Sequence, residues 1–409
     1  MGPAPQFIST PFLSGAGPFL FAALVKYLLE FFGRPPGATA HHGDDHVTHE
    51  RIADELSALE REALALADAA SLDPAPYVSD YRGIAAYICI WTPPELLRAG
   101  GLHPVLMRGE SASAPPGSCA TCAAFAGGWL ESILDRTRLI VVAETCTGIV
   151  RLLSRVARER EIPLFSISEP ENLTDDGLRA YVHQLSWLRD TVRGNMPLER
   201  YEANLAGAFS LYSAERSLLA ALRADGRIPD RTAALLQAAA QTAPPEAVIP
   251  LVERAFELAR ELPPSDAVPL LLVGGMLERD RLALYDALAA AGGRIAADLL
   301  CSSGRGPHRS ASEPGLSLFD RIAFEHFNQL PCLPVEPNRR FYIEAKALVE
   351  REGIKGILYY EPRGCGPYRR ERERFHWNAP VPVMYLDAGF LAREPDDMAS
   401  DFADFLSSL

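Results

Sequence analysis

The sequence predicts an α/β protein built on two mostly parallel sheets, with a helical segment ahead of the first and a helical insertion between them. Three observations carry this. From about residue 80, short β-rich runs alternate with stretches of helical period. Over 176–262 the alternation stops and the pattern is helical throughout. After Pro264 it resumes. Strand–helix–strand alternation implies βαβ units and parallel pairing. At roughly 100–200 residues per domain, a chain of 409 residues holds two or three domains. The pattern breaks divide it into an N-terminal helical segment (1–75), a first α/β domain (76–175), a helical insertion (176–264) and a second α/β domain (265–409).

Each element has its own signal. Ile52, Leu56, Leu59, Ala63 and Leu66 recur at steps of four and three, which makes one apolar stripe along a helix. The loop before it, Pro35 to His46, contains HHGDDH. Those are metal-ligating residue types, but nothing nearby fixes their geometry and the segment reads as a solvated loop. IAAYICI (84–90) reads as a strand with Cys89 buried inside it, and TPPELLRAGG (92–101) as a helix with early prolines and a glycine stop. HPVLM (103–107), RLIVVA (138–143) and PLFSIS (163–168) are strands, with a helix over 146–161 between the last two. In the second half VPLLLV (268–273), RIAADLL (294–300), IKGILYY (354–360) and VPVMYLD (381–387) are strands. Helices are expected over 277–292, 338–353 and 366–375.

Composition narrows the function. Hydrophobic residues at 48% and charged residues at 23% permit a sizeable core. The net charge of −13 repels phosphate backbones, so nucleic acid is not the expected partner. The most apolar stretch, Pro18 to Phe32, is interrupted by Lys26 and Glu30 and is too short and charged to span a bilayer. Seven cysteines, an odd number in a long chain, argue against a disulfide framework and for a reducing, cytoplasmic setting. The motifs of a P-loop, of a dinucleotide-binding GxGxxG turn after a strand, of a GxSxG elbow and of HExxH are all missing.

The cysteines take their meaning from this organisation. Cys146 follows the strand 138–143 and opens a helix; Cys301 follows 294–300; Cys365 follows 354–360 and opens another helix. Open α/β sheets bind ligands outside the carboxyl ends of their strands, and helix N-termini favour thiolate over thiol. Cys119 and Cys122 form one CATC pair, which fits a redox pair, half a zinc site or two cluster ligands. Cys332, in LPCLPV, is either a ligand or a packed thiol. Soft thiolates converging from strand ends suit an iron–sulfur cluster; ordinary buried thiols are the plainer alternative.

Several blocks, in order, resemble the 2-hydroxyacyl-CoA dehydratase family, which includes benzoyl-CoA reductase subunits and double-cubane-cluster proteins. They are YICIWTPPELLRAGGLHPV (87–105), SCATCAAFAGG (118–128), AETCTG (143–148), LLVGGM through GGRIAADLLCSSGRG (271–306), PCLPV (331–335) and GILYYEPRGCGPY (356–368). The resemblance implies two flavodoxin-like, doubly wound domains plus helices. It implies a [4Fe-4S] cluster on Cys119 (or Cys122), Cys146 and Cys365, and a role for Glu95 in lining the active site; as a residue, Glu95 also reads as a helix N-terminal acid favoured by the dipole. The implied reaction is reductive. One electron from a separate ATP-hydrolysing iron–sulfur activator turns the thioester carbonyl of a 2-hydroxyacyl-CoA into a ketyl radical anion that expels hydroxide, and the electron is later returned. The implied partners are a homologous sister subunit or a second copy of the chain. Thr147 stands where members often carry Asp. Cys122, Cys301 and Cys332 could add ligands for a double-cubane [8Fe-9S] cluster and an ATP-dependent reductase. A non-catalytic partner subunit is the third reading.

Overall fold

The computed structural model describes residues 45–68, 72–107, 128–170, 174–277, 281–303, 305, 315–334, 338–362, 364–387 and 389–409. The HHGDDH loop up to Asp44 and the CATC pair, Cys119 and Cys122, lie outside the described residues. The chain divides into two units, Met1–Glu50 and Arg51–Leu409, and apart from residues 45–50 of the first helix the architecture that follows belongs to the second.

In chain order the first elements are α1 (Asp45–Leu66), β1 (Gly83–Ile88), α2 (Pro94–Ala99), β2 (Leu102–Leu106), α3 (Gly128–Leu134), β3 (Thr137–Ala143), α4 (Thr147–Glu159) and β4 (Leu164–Ile167). A run of helices follows: α5 (Asp175–Arg193), α6 (Leu198–Asp225), α7 (Asp230–Ala239) and α8 (Pro245–Glu261). The rest is β5 (Val268–Gly274), α9 (Ala283–Ala290), β6 (Gly293–Leu299), α10 (Leu318–Phe327), α11 (Arg339–Glu352), β7 (Gly356–Tyr360), α12 (Gly366–Asn378), β8 (Val383–Leu386) and α13 (Pro395–Ser407).

The strands form two four-stranded sheets, ordered β2-β1-β3-β4 and β6-β5-β7-β8. Every pairing is parallel. This is the doubly wound, flavodoxin-like order. Both faces of each sheet are covered, so the strands read as near-continuous apolar runs. Successive residues of a strand point to opposite faces. Ala85 therefore joins Leu96, Leu97, Tyr181, Leu185 and Tyr201 on one side of the first sheet. Ile84, Ala86 and Ile88 join Leu130, Ile133, Ile149 and Leu153 on the other. In the second sheet Leu270 and Leu272 pack toward α9 and α13 through Leu284, Leu288 and Phe402. Leu271 and Val273 pack toward α11 and α12 through Phe341, Ala345 and Phe375. Each such leucine, fully buried, contributes roughly 1.5–3 kcal/mol of transfer free energy.

Two differences from the sequence reading matter. β1 stops at Ile88, so Cys89 is the first residue beyond the strand's carboxyl end, half-buried, with φ +79°. A non-glycine residue rarely adopts that backbone. The hydrophobic run Ile88–Cys89–Ile90 hides the turn, because nothing in it is a usual turn residue. Secondly, α3, α10 and α13 fall where no helix was expected. α10 does carry a start signal: the Ser317 hydroxyl accepts from Asp320 N at 3.1 Å and donates to the Asp320 carboxylate at 2.6 Å, the two arms of a short-range cap. α13 begins with Pro395 and the acidic pair Asp396–Asp397, which suit a helix N-terminus.

Gly274 ends β5 with φ +156°, and a Cβ there would lie 2.4 Å from the carbonyl oxygen of Tyr360 on β7. Gly274→Ala must open the β5–β7 pairing at its carboxyl end. A destabilisation of about 1–3 kcal/mol is expected, read as a lower midpoint in urea unfolding; an unchanged midpoint would show that the close approach is not needed.

Candidate functional site at the carboxyl edges of the sheets

In a doubly wound sheet the strand order reverses once, and the loops on either side of that reversal part to leave a crevice. In the first sheet the reversal lies between β1 and β3, in the second between β5 and β7. Cys89 follows β1 and Cys146 follows β3. Gly274 and Gly275 end β5 and lead away from it, while Cys365 follows β7. Cys301 lies just past β6, and Cys332 lies between α10 and α11.

Cys146 is the N-cap of α4 (φ −143°, ψ 112°), and Cys365 is the N-cap of α12 (φ −84°, ψ 98°). Neither side chain caps its own helix. Each sulfur thus sits at the positive end of a 13-residue helix, where a thiolate is favoured. Cys146 and Cys301 pack against the same core together with Met276. Cys332 and Cys365 pack against another, together with Tyr368. Cys89 packs against the opposite face of the first sheet, with Trp91 and Tyr181.

Two of these cysteines, Cys301 and Cys332, face one cation, and Cys89 lies close to both of them. Arg305 is 1% exposed. Its Nη1 donates to the Pro331 carbonyl at 3.2 Å, and Cys301 and Cys332 act on its guanidinium electrostatically. Cys89 in turn feels the charges of Cys332, Cys301 and Glu169, and burial pushes its thiol well above the usual range. Burial likewise raises the Cys332 thiol, against the opposing pull of Arg305. Glu169, two residues past β4, has its carboxyl raised to about 7 by burial, opposed by Trp91 and Arg305. The crevice thus assembles thiols, a guanidinium and a carboxylic acid that holds its proton near neutrality. Sequence reasoning found neither Arg305 nor Glu169. Their positions just past the ends of β6 and β4 were the available signal.

Glu95 stands apart from this group. It lies in the first turn of α2 and is fully buried. Arg216 Nη1 on α6 donates to Oε1 at 2.7 Å, and His326 Nε2 on α10 faces Oε2 at 3.3 Å. Burial would raise this carboxyl, but Arg216 and His326 outweigh it and hold it at about 2. The other ring nitrogen of His326, Nδ1, donates to the Ile90 carbonyl at 3.1 Å. The turn carrying Cys89 is thereby fastened to Glu95. Tyr181 Oη adds a second fastening, donating to the Trp91 carbonyl at 2.6 Å.

Among the described residues no three His, Cys, Asp or Glu side chains stand close enough to grip a single metal ion. No described helix is long and apolar enough to cross a membrane. Fold and site together define a class: a doubly wound, flavodoxin-like α/β protein with its thiols at the ligand-binding edges. The chain belongs to the family described as 2-hydroxyglutaryl-CoA dehydratase, D-component, which it matches over residues 89–405. It is therefore a 2-hydroxyacyl-CoA dehydratase-like component. No curated protein matches the chain. Among solved structures it is similar to a manganese-bound periplasmic metal binding protein from Candidatus Liberibacter asiaticus, at 10% identity and a TM-score of 0.21, covering 80% of this chain and 99% of that one. It is also similar to a laminin-binding adhesin from Streptococcus agalactiae, at 12% identity and a TM-score of 0.19, covering 80% of this chain and 100% of that one.

The folded Glu95 carboxyl lies near 2 against an ordinary 4.5. Its ionised form therefore stabilises the fold fully above about pH 4.5, and that contribution, roughly 3 kcal/mol, is lost as pH falls toward 2. Glu95→Ala leaves Arg216 and His326 facing no carboxylate and is expected to cost about 3–5 kcal/mol at neutral pH. Urea unfolding of the two proteins across pH checks both: the deficit of the variant should shrink as the medium is acidified.

Proposed function

We propose that the chain is the iron–sulfur subunit of a 2-hydroxyacyl-CoA dehydratase-like enzyme, working in the cytoplasm. It would dehydrate an acyl-CoA thioester reductively, with one electron from a separate ATP-hydrolysing iron–sulfur activator and beside a sister subunit or a second copy of itself. The observation that supports this best is the pair of cysteines at helix N-cap positions, Cys146 and Cys365, one at the switch point of each sheet, in a chain of this family. The donor set suits a sulfur-ligated cluster. It offers soft thiols, and beside them the buried Nε of Arg305 has no hydrogen-bond partner, as expected where an anionic group belongs.

Cys146, Cys365 and one of Cys119 and Cys122 would hold a [4Fe-4S] cluster, which supplies a low-potential electron and an iron with a vacant position. The rest falls to the chain's own residues. The N-termini of α4 and α12 present their partial positive charge to Cys146 and Cys365, which suits sulfur ligands. Each is half-buried, packed on one side against the core of its own sheet. Glu169 brings a carboxylic proton to the crevice, available to a departing hydroxide. Glu95 acts through His326 and the Ile90 carbonyl, holding the turn after β1 in place.

A second reading has its own support. With Cys301 and Cys332 facing Arg305 and Cys89 close to both, the chain has thiols to spare for a double-cubane [8Fe-9S] reductase. Anaerobic reconstitution followed by iron analysis separates the two: about four irons per chain are expected for the dehydratase and about eight for the reductase. Cys146→Ala and Cys365→Ala should each abolish the visible charge-transfer absorbance without unfolding the protein. Wild-type protein that takes up no iron would end both readings and leave a non-catalytic subunit.

A further inference from the structure

We propose that the outer face of α5 is the surface on which two copies of this chain meet, the helix of one lying antiparallel across that of the other about a two-fold axis at the level of Leu185. The inference deepens the partner reading above, in which a second copy is one of the partners named, and it stands without the cluster.

α5 has two faces. Tyr181, Leu185, Leu188 and Val192 are buried and bind it to the first sheet. Asp176, Arg179, His183, Trp187 and Asp190 recur at steps of three and four and form an exposed row. Charges on a surface helix need no explanation, but a tryptophan in the middle of them does. Trp187 is 57% exposed, and its ring stands against that of His183 with centroids 4.4 Å apart. Two residues on, the Arg189 guanidinium lies 5.1 Å from the centre of the Phe319 ring at the start of α10, and Leu316, just ahead of that helix, is exposed. Aromatic rings and arginines gathered on an open face are the composition of protein interfaces, and tryptophan is foremost among their anchoring residues.

Charge then selects the occupant. A two-fold interface must be complementary to itself. With the axis at Leu185, Trp187 of each copy meets His183 of the other, and Arg179 of each comes within one residue of the position facing Asp190 of the other. Opposite charges therefore meet on both sides of the stacked rings. Registers one turn away lose this match. Setting His183 against His183 brings Asp176 to face Asp190, a like-charge contact; setting Trp187 against Trp187 carries Arg179 past the end of the facing helix. Within the helix Arg179 pairs with Asp176 and Asp190 with Arg189, but these contacts are exposed and weak, so the charges can turn to a new partner at little cost. The area sets the strength. A helix of 19 residues is about 28 Å long and about 10 Å across. Even widened by the start of α10, that is well short of the roughly 800 Å² per partner of a tight complex, and a dimer of micromolar affinity is expected.

Sedimentation equilibrium of the purified protein over a range of concentrations tests this, with iron measured alongside. The wild type should pass from monomer to dimer. Trp187→Ala and Arg179→Asp should each weaken the dimer about tenfold or more, and the double variant Arg179→Asp/Asp190→Arg should return to within about threefold of wild type. These side chains are exposed, and circular dichroism checks that the fold is kept. Should Arg179→Asp fail to fold, Asp190→Arg sets like charges against each other at the same contact and decides in its place. A wild type that stays monomeric throughout, a dimer indifferent to Trp187→Ala, or a double variant that regains nothing would each overturn the proposal. A dimer that holds no iron ends the cluster reading and keeps this one; an iron-loaded monomer does the reverse.

Discussion

Parallel pairing is the constraint on which the rest depends. A parallel strand must be reached by a crossover, so every strand of a sheet presents its carboxyl end at the same edge. Where the winding reverses, between β1 and β3 and again between β5 and β7, the outgoing segments separate. Cys89, Cys146 and Cys365 all occupy such outgoing segments, and Cys301 leaves the neighbouring strand β6 at the same edge. No long-range attraction between cysteines is needed to bring these residues to the edge. The topology delivers them there, and the helices that begin at Cys146 and Cys365 orient their dipoles toward it.

Burial and pairing compete across the site, with different winners at different residues. At Glu95 Arg216 and His326, on two different helices, overcome burial, and the carboxylate stays ionised. At Glu169 Trp91 and Arg305 do not suffice, and burial raises the carboxyl to about 7. At Arg305 burial disfavours the charge, and Cys301 and Cys332 more than offset it. Three ionisable groups thus end in three states for one physical reason: the number of opposing partners each finds once water has left.

Much of the fold was legible because fully buried parallel strands are near-continuous apolar runs. VPLLLV and RLIVVA could hardly be anything else, and Cys146 and Cys365 could be placed at strand ends from the sequence alone. What escaped had local causes. The turn at Cys89 is made by a residue in left-handed backbone that no turn signal announces, so the strand was read as longer than it is. α10 and α13 were hidden although both carry capping chemistry, because the alternation of strand and helix drew attention to strands alone. Arg305 and Glu169 were invisible for another reason. A lone arginine or glutamate near a glycine- or proline-rich loop looks like surface, and it takes the packing of two sheets to show it buried.

The joint at Glu95 also bears on how the molecule is made. Its three members come from α2, α6 and α10, so that residues 95, 216 and 326 must all be present before the turn after β1 is secured. The strands of the first sheet are complete by Ile167, and they can pair early, while the edge that carries Cys89 waits for chain made much later. A nascent or truncated polypeptide ending between the two sheets would hold a formed sheet with a loose rim and an unmatched buried acid. Such a species keeps the rim of the first sheet unfastened until residues 216 and 326 have both been added.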